Sequence, residues 1–253
     1  MKLHVEEHGD GLPLLLIQGL GYATWAWRYQ LEPFSRRFRT IAFDNRGTGR
    51  SEKPPGPYSI EQLADDAADV LAGRQAHVLG FSMGGYVAQT LALRRPELVE
   101  RLVLCGTGSG GPRNVDLPRS TQEAWEANAH LPPAEYARAT MHLSFAPGWA
   151  EEHPELLEEL LAARLEFPTP PEAWRAQYDA CWDFVERVTP LERIGAPTLV
   201  LHGEADRIVP FDNARHLVDR IPHAELVSFP GAGHLLFLEQ PQRFTDSVLE
   251  FLS

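Results

Sequence analysis

Residues 77–85 read HVLGFSMGG, an apolar run that leads into one serine flanked by glycines. This order predicts a buried strand, a sharp turn that carries Ser82, and the start of a helix, which is the G-x-S-x-G arrangement of a nucleophile elbow. Such a tight turn brings its neighbours so close that Gly80 and Gly84 must lack side chains. The alternative is a glycine-rich turn with an incidental serine. A phosphate-binding loop is disfavoured because no lysine follows at the required spacing.

The composition bounds the class of protein. The chain has 253 residues, 43% of them hydrophobic and 23% charged, which suits one large globular α/β domain with an insertion. Its net charge of −12 argues against a nucleic-acid or anionic-membrane partner, because phosphate binding needs a basic surface. No apolar run is long enough for a membrane span, and two cysteines give neither a disulfide framework nor a metal spacing. We therefore expect a cytoplasmic protein with a small-molecule substrate and no metal or cofactor.

Apolar runs with strand character alternate with helical patterns along most of the chain. This alternation predicts an α/β fold with a mostly parallel sheet flanked by helices. A short strand is expected within residues 3–8, and a helix is expected over residues 24–34. The other expected strands are 14–17, 40–44, the run before Ser82, 99–105, 198–203 and 224–229, and the other helices are 60–71, 86–94, 212–220 and 240–252.

The pattern changes between residues 112 and 190. Helical patterns follow one another there without strand-like runs, over residues 120–128, 133–141, 153–166 and 171–184. We expect an inserted helical cap at 112–190 on an α/β core formed by 1–111 and 191–253. The insert holds four of the six tryptophans, which are first of all packing material, although some of them would wall an apolar pocket if the insert covered a site.

A serine hydroxyl needs a base that takes its proton as it attacks. Among ten histidines, His234 differs because it lies in a glycine-rich loop after the last predicted strand. Asp206 occupies the corresponding loop after the preceding strand, and Glu204 is a rival acid two residues away. The order Ser82, Asp206, His234 is one of three common nucleophile, acid and base orders. Asp206 is preferred because it follows the turn that Gly203 begins.

An acyl-transfer site also needs two donors for the oxyanion of its tetrahedral intermediate. One is expected from the N–H of Met83, directly after the serine. The other is expected from the loop after the strand 14–17, from the N–H of Leu20. Both donors belong to the backbone.

Four motifs together resemble the α/β-hydrolase superfamily: GFSMGG at 80–85, DNRGTGRS at 44–51, HGEAD at 202–206 and GAGH at 231–234. Within it, the chain is most similar to the carboxylesterase, 3-oxoadipate enol-lactonase and cofactor-free haloperoxidase group. The resemblance covers the chain outside the insert, and it implies the fold, the catalytic triad Ser82, Asp206 and His234, and a helical lid.

Three departures from the family pattern refine these expectations. Gln18 stands where the oxyanion loop usually begins with histidine. One strand precedes Leu14 where the family commonly has a hairpin, which predicts seven strands. The elbow carries serine where dehalogenases and epoxide hydrolases carry aspartate, which disfavours those two activities.

The expected function is hydrolysis of a small, fairly apolar carboxylic ester or lactone through an acyl-enzyme on Ser82. Enol-lactonase, carbon–carbon bond hydrolase and perhydrolase activities use the same residues and stay open. A different class is a non-catalytic α/β-hydrolase fold that binds a ligand or a protein. The intact set of serine, aspartate and histidine argues against that class.

Overall fold

The computed structural model describes residues 1–253 and is built on one seven-stranded sheet with the order β1-β3-β2-β4-β5-β6-β7. Only β1 runs antiparallel, against β3, and every other neighbouring pair is parallel. The predicted fold class and the predicted seven strands are therefore confirmed. The strands are β1 Val5–His8, β2 Pro13–Ile17, β3 Arg39–Phe43, β4 Ala76–Phe81, β5 Val99–Cys105, β6 Thr198–Gly203 and β7 Ala224–Phe229.

The central strands are covered on both faces, as parallel strands with helical crossovers require. Successive side chains of a strand point to opposite faces, so neighbours in the sequence join different cores. Leu15 and Ile17 of β2 pack in one core, which also holds the apolar side chains of α2, α3 and α9. Leu14 and Leu16 pack in the other core, with α1 and α11. The helices are α1 Leu31–Ser35, α2 Ile60–Leu71, α3 Met83–Arg94, α4 Arg119–Asn128, α5 Pro133–Thr140, α6 Trp149–Glu152, α7 Pro154–Glu166, α8 Pro171–Val185, α9 Asp212–Arg220, α10 Leu236–Glu239 and α11 Pro241–Leu252.

The single helix expected over residues 24–34 is wrong. The chain forms a 3-10 turn over Thr24–Trp27 and then the short helix α1. A continuous helix would place Pro33 in its interior, where proline lacks the donor N–H and clashes with the preceding turn. The break places Pro33 in the first turn of α1, where neither penalty applies.

Helices α4 to α8 lie between β5 and β6 in the chain, and no strand interrupts them. We call residues 112–190 the helical segment. Its description as a cap separate from the core stays a prediction. No helix in the chain combines the length and the apolar character that crossing a membrane requires.

The turn between β4 and α3 is closely packed around two glycines. A Cβ on Gly80 would collide with the carbonyl oxygen of Gly84, and a Cβ on Gly84 would collide with the carbonyl oxygens of Ile17 and Gln18. These obstacles are backbone atoms of α3, of β2 and of the loop after β2, so they cannot rotate away as the end of a side chain could. The predicted need for glycine on both sides of Ser82 thus has a specific steric cause.

We expect Gly84→Ala to lower the free energy of unfolding by about 3 kcal/mol or more, as a methyl group forced against buried backbone does. Urea denaturation followed by circular dichroism measures the change. Gly195→Ala is the matched control because a Cβ at Gly195 meets nothing within 4 Å, and we expect it to change stability by less than about 1 kcal/mol. Equal stabilities of the two variants would contradict the steric account.

Candidate active site

Ser82 lies between the end of β4 and the first residue of α3. Its φ of +54° falls in the left-handed region that side chains other than glycine rarely adopt. Its N–H donates to the carbonyl oxygen of Cys105 at 2.8 Å, and its carbonyl oxygen accepts from the Thr107 hydroxyl at 2.8 Å. These two bonds hold the strained residue to the neighbouring strand β5 and the loop after it, with the half-buried hydroxyl facing a cavity.

Three of the predicted site residues form a chain of hydrogen bonds. The Ser82 Oγ lies 3.0 Å from the Nε2 of His234, and the Nδ1 of His234 lies 2.7 Å from the Oδ2 of Asp206. A carboxylate can only accept, so Nδ1 carries the proton and Nε2 is left to accept from the serine hydroxyl. His234 and Asp206 are buried. In the chain, His234 follows Ser82 by 152 positions and Asp206 by 28 positions.

The Asp206 carboxylate is held on both oxygens. Its Oδ1 accepts from the N–H groups of Ile208 at 2.7 Å and Val209 at 2.9 Å, which fixes the turn after β6. Burial by itself raises the pKa of Asp206, but the facing rings of His234 and His202 outweigh burial and hold its pKa below the ordinary value. Asp206 is therefore a carboxylate with a fixed orientation toward His234.

His202 is a site neighbour that the sequence did not reveal, because its place in a strand gave no sign of a role. The ring is fully buried at the end of β6. Its Nε2 lies 2.8 Å from the carbonyl oxygen of Val209 and 3.2 Å from the Oδ2 of Asp206. The available signals were its place in the HGEAD motif and its position at a strand end, four residues before Asp206.

The rival acid Glu204 lies elsewhere. Its side chain is exposed, and its carboxylate accepts a hydrogen bond from the Ser228 hydroxyl at 2.7 Å. It makes no hydrogen bond to His234.

The two predicted oxyanion donors lie next to Ser82. Met83 is the first residue of α3, so its N–H has no carbonyl partner within the helix and is left to bind another acceptor. Leu20 lies in the loop after β2, and its N–H has no partner within the chain. Gly19 brings this loop against the elbow, since a Cβ on Gly19 would lie 3.0 Å from the Ser82 Cβ. Gln18 bonds within the loop, its Oε1 accepting from the Gly19 N–H at 3.3 Å.

Glu239 and Arg207 join the loops of the site to residues 142–146 of the helical segment. The Glu239 carboxylate accepts from the N–H of Gly233 at 2.9 Å and from the N–H of Ala146 at 3.1 Å. The Arg207 guanidinium donates to the carbonyl oxygens of His142 and Phe145, each at 3.0 Å. Both residues are connected to the predicted site: Glu239 through its bond to Gly233, which precedes His234, and Arg207 because it follows Asp206 in the chain. The pKa of Glu239 is raised to about 7: burial and the charge of Asp206 raise it, while the two N–H donors and Arg207 oppose the shift.

A cavity opens above Ser82 and His234, with Leu20 also on its wall. The aromatic side chains of the helical segment divide into two groups. Phe145 and Trp149 stack at 4.0 Å between ring centroids and belong to the core. The wall of the cavity includes Trp125, Tyr136, Trp174, Tyr178 and Trp182.

No group of three or more His, Cys, Asp and Glu side chains is arranged to hold a metal ion. The expectation of a site without metal or cofactor stays a prediction. The side chains bonded to the Ser82 hydroxyl, directly or through one other residue, are those of His234 and Asp206.

Comparison with known proteins gives a consistent picture. A family model described as the alpha/beta hydrolase fold matches residues 13–241. A protein of Azorhizobium caulinodans named as carbamate hydrolase RutD is 33% identical, over 98% of this chain and 94% of its own length. The enol-lactonase of Burkholderia xenovorans LB400 is 28% identical with a TM-score of 0.85, over 99% of this chain and 96% of that chain. A thermophilic esterase of Thermogutta terrifontis, solved with malate bound, is 31% identical with a TM-score of 0.82, over 99% of this chain and 92% of that chain.

The raised pKa of Glu239 makes stability depend on pH in a defined direction. The folded carboxyl keeps its proton to higher pH than the unfolded one, so unfolding releases a proton between pH 4.5 and about 7. The free energy of unfolding therefore falls as pH rises across that window, by about 3 kcal/mol at most. We expect Glu239→Gln to flatten this slope in urea denaturation measured at steps of pH.

Glu204→Gln is the control for that measurement, because Glu204 is exposed. We expect it to keep the wild-type slope. A Glu239→Gln variant with the wild-type slope would show that Glu239 does not carry the raised pKa.

Proposed function

Because the chain belongs to the alpha/beta hydrolase fold family and is a hydrolase, we propose that Ser82 is its nucleophile and that a carboxylic ester or lactone is its substrate. The observation that carries this proposal is the chain of bonds from Ser82 Oγ to His234 Nε2 at 3.0 Å and from His234 Nδ1 to Asp206 at 2.7 Å. The proposed nucleophile is thus within hydrogen-bond reach of the proposed base, and the base is within reach of the proposed acid.

In the first half of the reaction, Ser82 Oγ attacks the carbonyl carbon while His234 Nε2 takes the hydroxyl proton. The charge that develops on the former carbonyl oxygen is stabilised by the N–H groups of Leu20 and Met83. His234 then gives its proton to the leaving alkoxide, and the carbon–oxygen bond breaks. An acyl ester on Ser82 and a free alcohol result.

In the second half, a water molecule attacks the acyl ester as His234 accepts its proton. His234 returns that proton to Ser82 Oγ, and the carboxylic acid leaves. Asp206 stabilises the imidazolium at both stages and holds its tautomer. With a lactone, the alcohol stays joined to the acyl chain, so a single hydroxy acid is released.

The wall of the cavity supports a fairly apolar substrate. Most of the side chains around Ser82 are hydrophobic, with Leu20, Phe81 and Trp174 among them. The likeness to an esterase and to an enol-lactonase supports the ester and the lactone equally. A carbamate is the second candidate, favoured by the 33% identity to RutD. Comparing kcat/KM for a butyrate ester and a carbamate ester of the same alcohol distinguishes a carboxylic ester hydrolase from a carbamate hydrolase.

We expect Ser82→Ala to lower kcat/KM for p-nitrophenyl butyrate by at least about 10³-fold, since the acyl-enzyme cannot form. Release of p-nitrophenol measures this, and equal thermal unfolding midpoints establish that the variant folds. A fluorophosphonate probe should label the wild type and not the variant. Equal turnover by the two proteins would refute the mechanism.

The assignment of the acid has its own test. We expect Asp206→Asn to lower kcat by about 10³- to 10⁴-fold, because the amide no longer holds the tautomer of His234 that accepts from Ser82. Glu204→Gln removes the rival carboxylate and should leave kcat unchanged. The reverse outcome would assign the acid to Glu204.

A further inference from the structure

The cavity above Ser82 contains one cationic side chain. Arg164, on helix α7, is the only lysine or arginine on its wall. Arg164 is half-buried, and no carboxylate lies within 4 Å of its guanidinium. Glu158 and Glu159, on the same helix, are bound to Arg138 and Arg28. A guanidinium that is partly removed from water and has no anion beside it loses part of its hydration without compensation, so this site favours an incoming anion.

Tyr22 is the second polar group at this place. Its side chain is 6% exposed, and its hydroxyl is buried without a hydrogen-bond partner. The guanidinium carbon of Arg164 lies 5.0 Å from the centroid of the Tyr22 ring. Both side chains line the cavity that contains Ser82. Buried hydroxyl groups in proteins normally have a partner, so the unpaired Tyr22 hydroxyl points to a ligand atom.

One acidic residue, Asp116, lies on the wall of the same cavity. It is exposed, and its carboxylate accepts from the Asn114 side-chain amide at 3.0 Å. It forms no ion pair with Arg164 within 4 Å. The charge of Arg164 is therefore not neutralised by its own protein.

We propose that Arg164 and Tyr22 form a subsite for a carboxylate group of the substrate, so that the ester or lactone this site cleaves carries a negative charge away from its scissile bond. The inference rests on the proposed function. The planar guanidinium offers two parallel N–H donors to a carboxylate, and the Tyr22 hydroxyl offers a third. A neutral substrate would leave the guanidinium without an anionic partner.

The position of Arg164 adds a second argument. A further cavity within the helical segment shares five wall residues with the cavity above Ser82: Trp125, Tyr136, Arg164, Trp174 and Tyr178. Arg164 thus lies where the two cavities meet. When the carboxylate of a substrate is bound at Arg164, the scissile carbonyl can lie at Ser82. The carbon chain between the two groups then lies along the aromatic side chains of the cavity wall.

The test compares a charged ester with its uncharged isostere. Monomethyl esters of the dicarboxylic acids from malonate to adipate are paired with methyl esters of the same acids that carry a primary amide in place of the free carboxylate. Titration of released acid at constant pH gives kcat/KM for each. We expect the wild type to prefer the carboxylate at one chain length, and this preference to weaken with added salt.

We expect Arg164→Gln to lower the ratio of charged to uncharged kcat/KM by about 10- to 100-fold, since charge-assisted hydrogen bonds are lost. Tyr22→Phe should lower it less, because one neutral donor is removed. Arg138→Gln is the matched control, since it removes the same charge from an exposed residue of the helical segment and should leave the ratio at the wild-type value.

A wild type that prefers the amide at every chain length overturns the subsite, whether or not the variants fold. So does an Arg164→Gln variant whose ratio equals that of Arg138→Gln. If the wild type hydrolyses neither ester, or Ser82→Ala hydrolyses both, the proposed function fails instead. Calorimetric titration with glutarate then decides the subsite alone: heat of binding in the wild type that Arg164→Gln loses supports it, and equal heats overturn it.

Discussion

Two absent Cβ atoms govern the position of the serine. Gly80 and Gly84 bring β4, α3 and the loop after β2 within van der Waals contact around Ser82, whose φ is +54°. The strain is offset by the surrounding packing and by the bond from Ser82 to Cys105. The same contact brings Leu20 beside the start of α3. One steric condition thus sets the positions of the Ser82 hydroxyl and of the two proposed oxyanion donors, the N–H groups of Leu20 and Met83.

The carboxylate of Asp206 fixes the orientation of His234, the proposed base. Four hydrogen-bonding groups surround it: two backbone N–H groups on one oxygen and two histidine rings on the other. A carboxylate held in this way cannot rotate, so the ring of His234 has one favourable orientation. His202 takes no part in the bonds to Ser82, yet it defines one side of this arrangement.

The fold and the central site could be predicted because their determinants are local or topological. The elbow is a pattern of adjacent residues, and Asp206 and His234 follow the ends of adjacent parallel strands, which meet at one edge of a sheet. Other features depend on contacts between distant segments. Glu239 accepts a hydrogen bond from Ala146, 93 residues away in the chain, and no hydrophobic pattern in the sequence predicts such a pair. The lack of a carboxylate beside Arg164 likewise depends on how α7 packs, which the sequence does not reveal.

The bonds of Glu239 and Arg207 determine which parts of the helical segment can move. Displacing residues 142–146 would break the bond from the Ala146 N–H to Glu239, the bonds from Arg207 to the carbonyl oxygens of His142 and Phe145, and the bond from the Leu235 N–H to Ser144. Glu239, Arg207 and Leu235 lie in or close to the loops of Asp206 and His234. Residues 142–146 are therefore held to the loops of Asp206 and His234 by hydrogen bonds. A movement of the helices on either side that left these bonds intact would keep Asp206 and His234 in place.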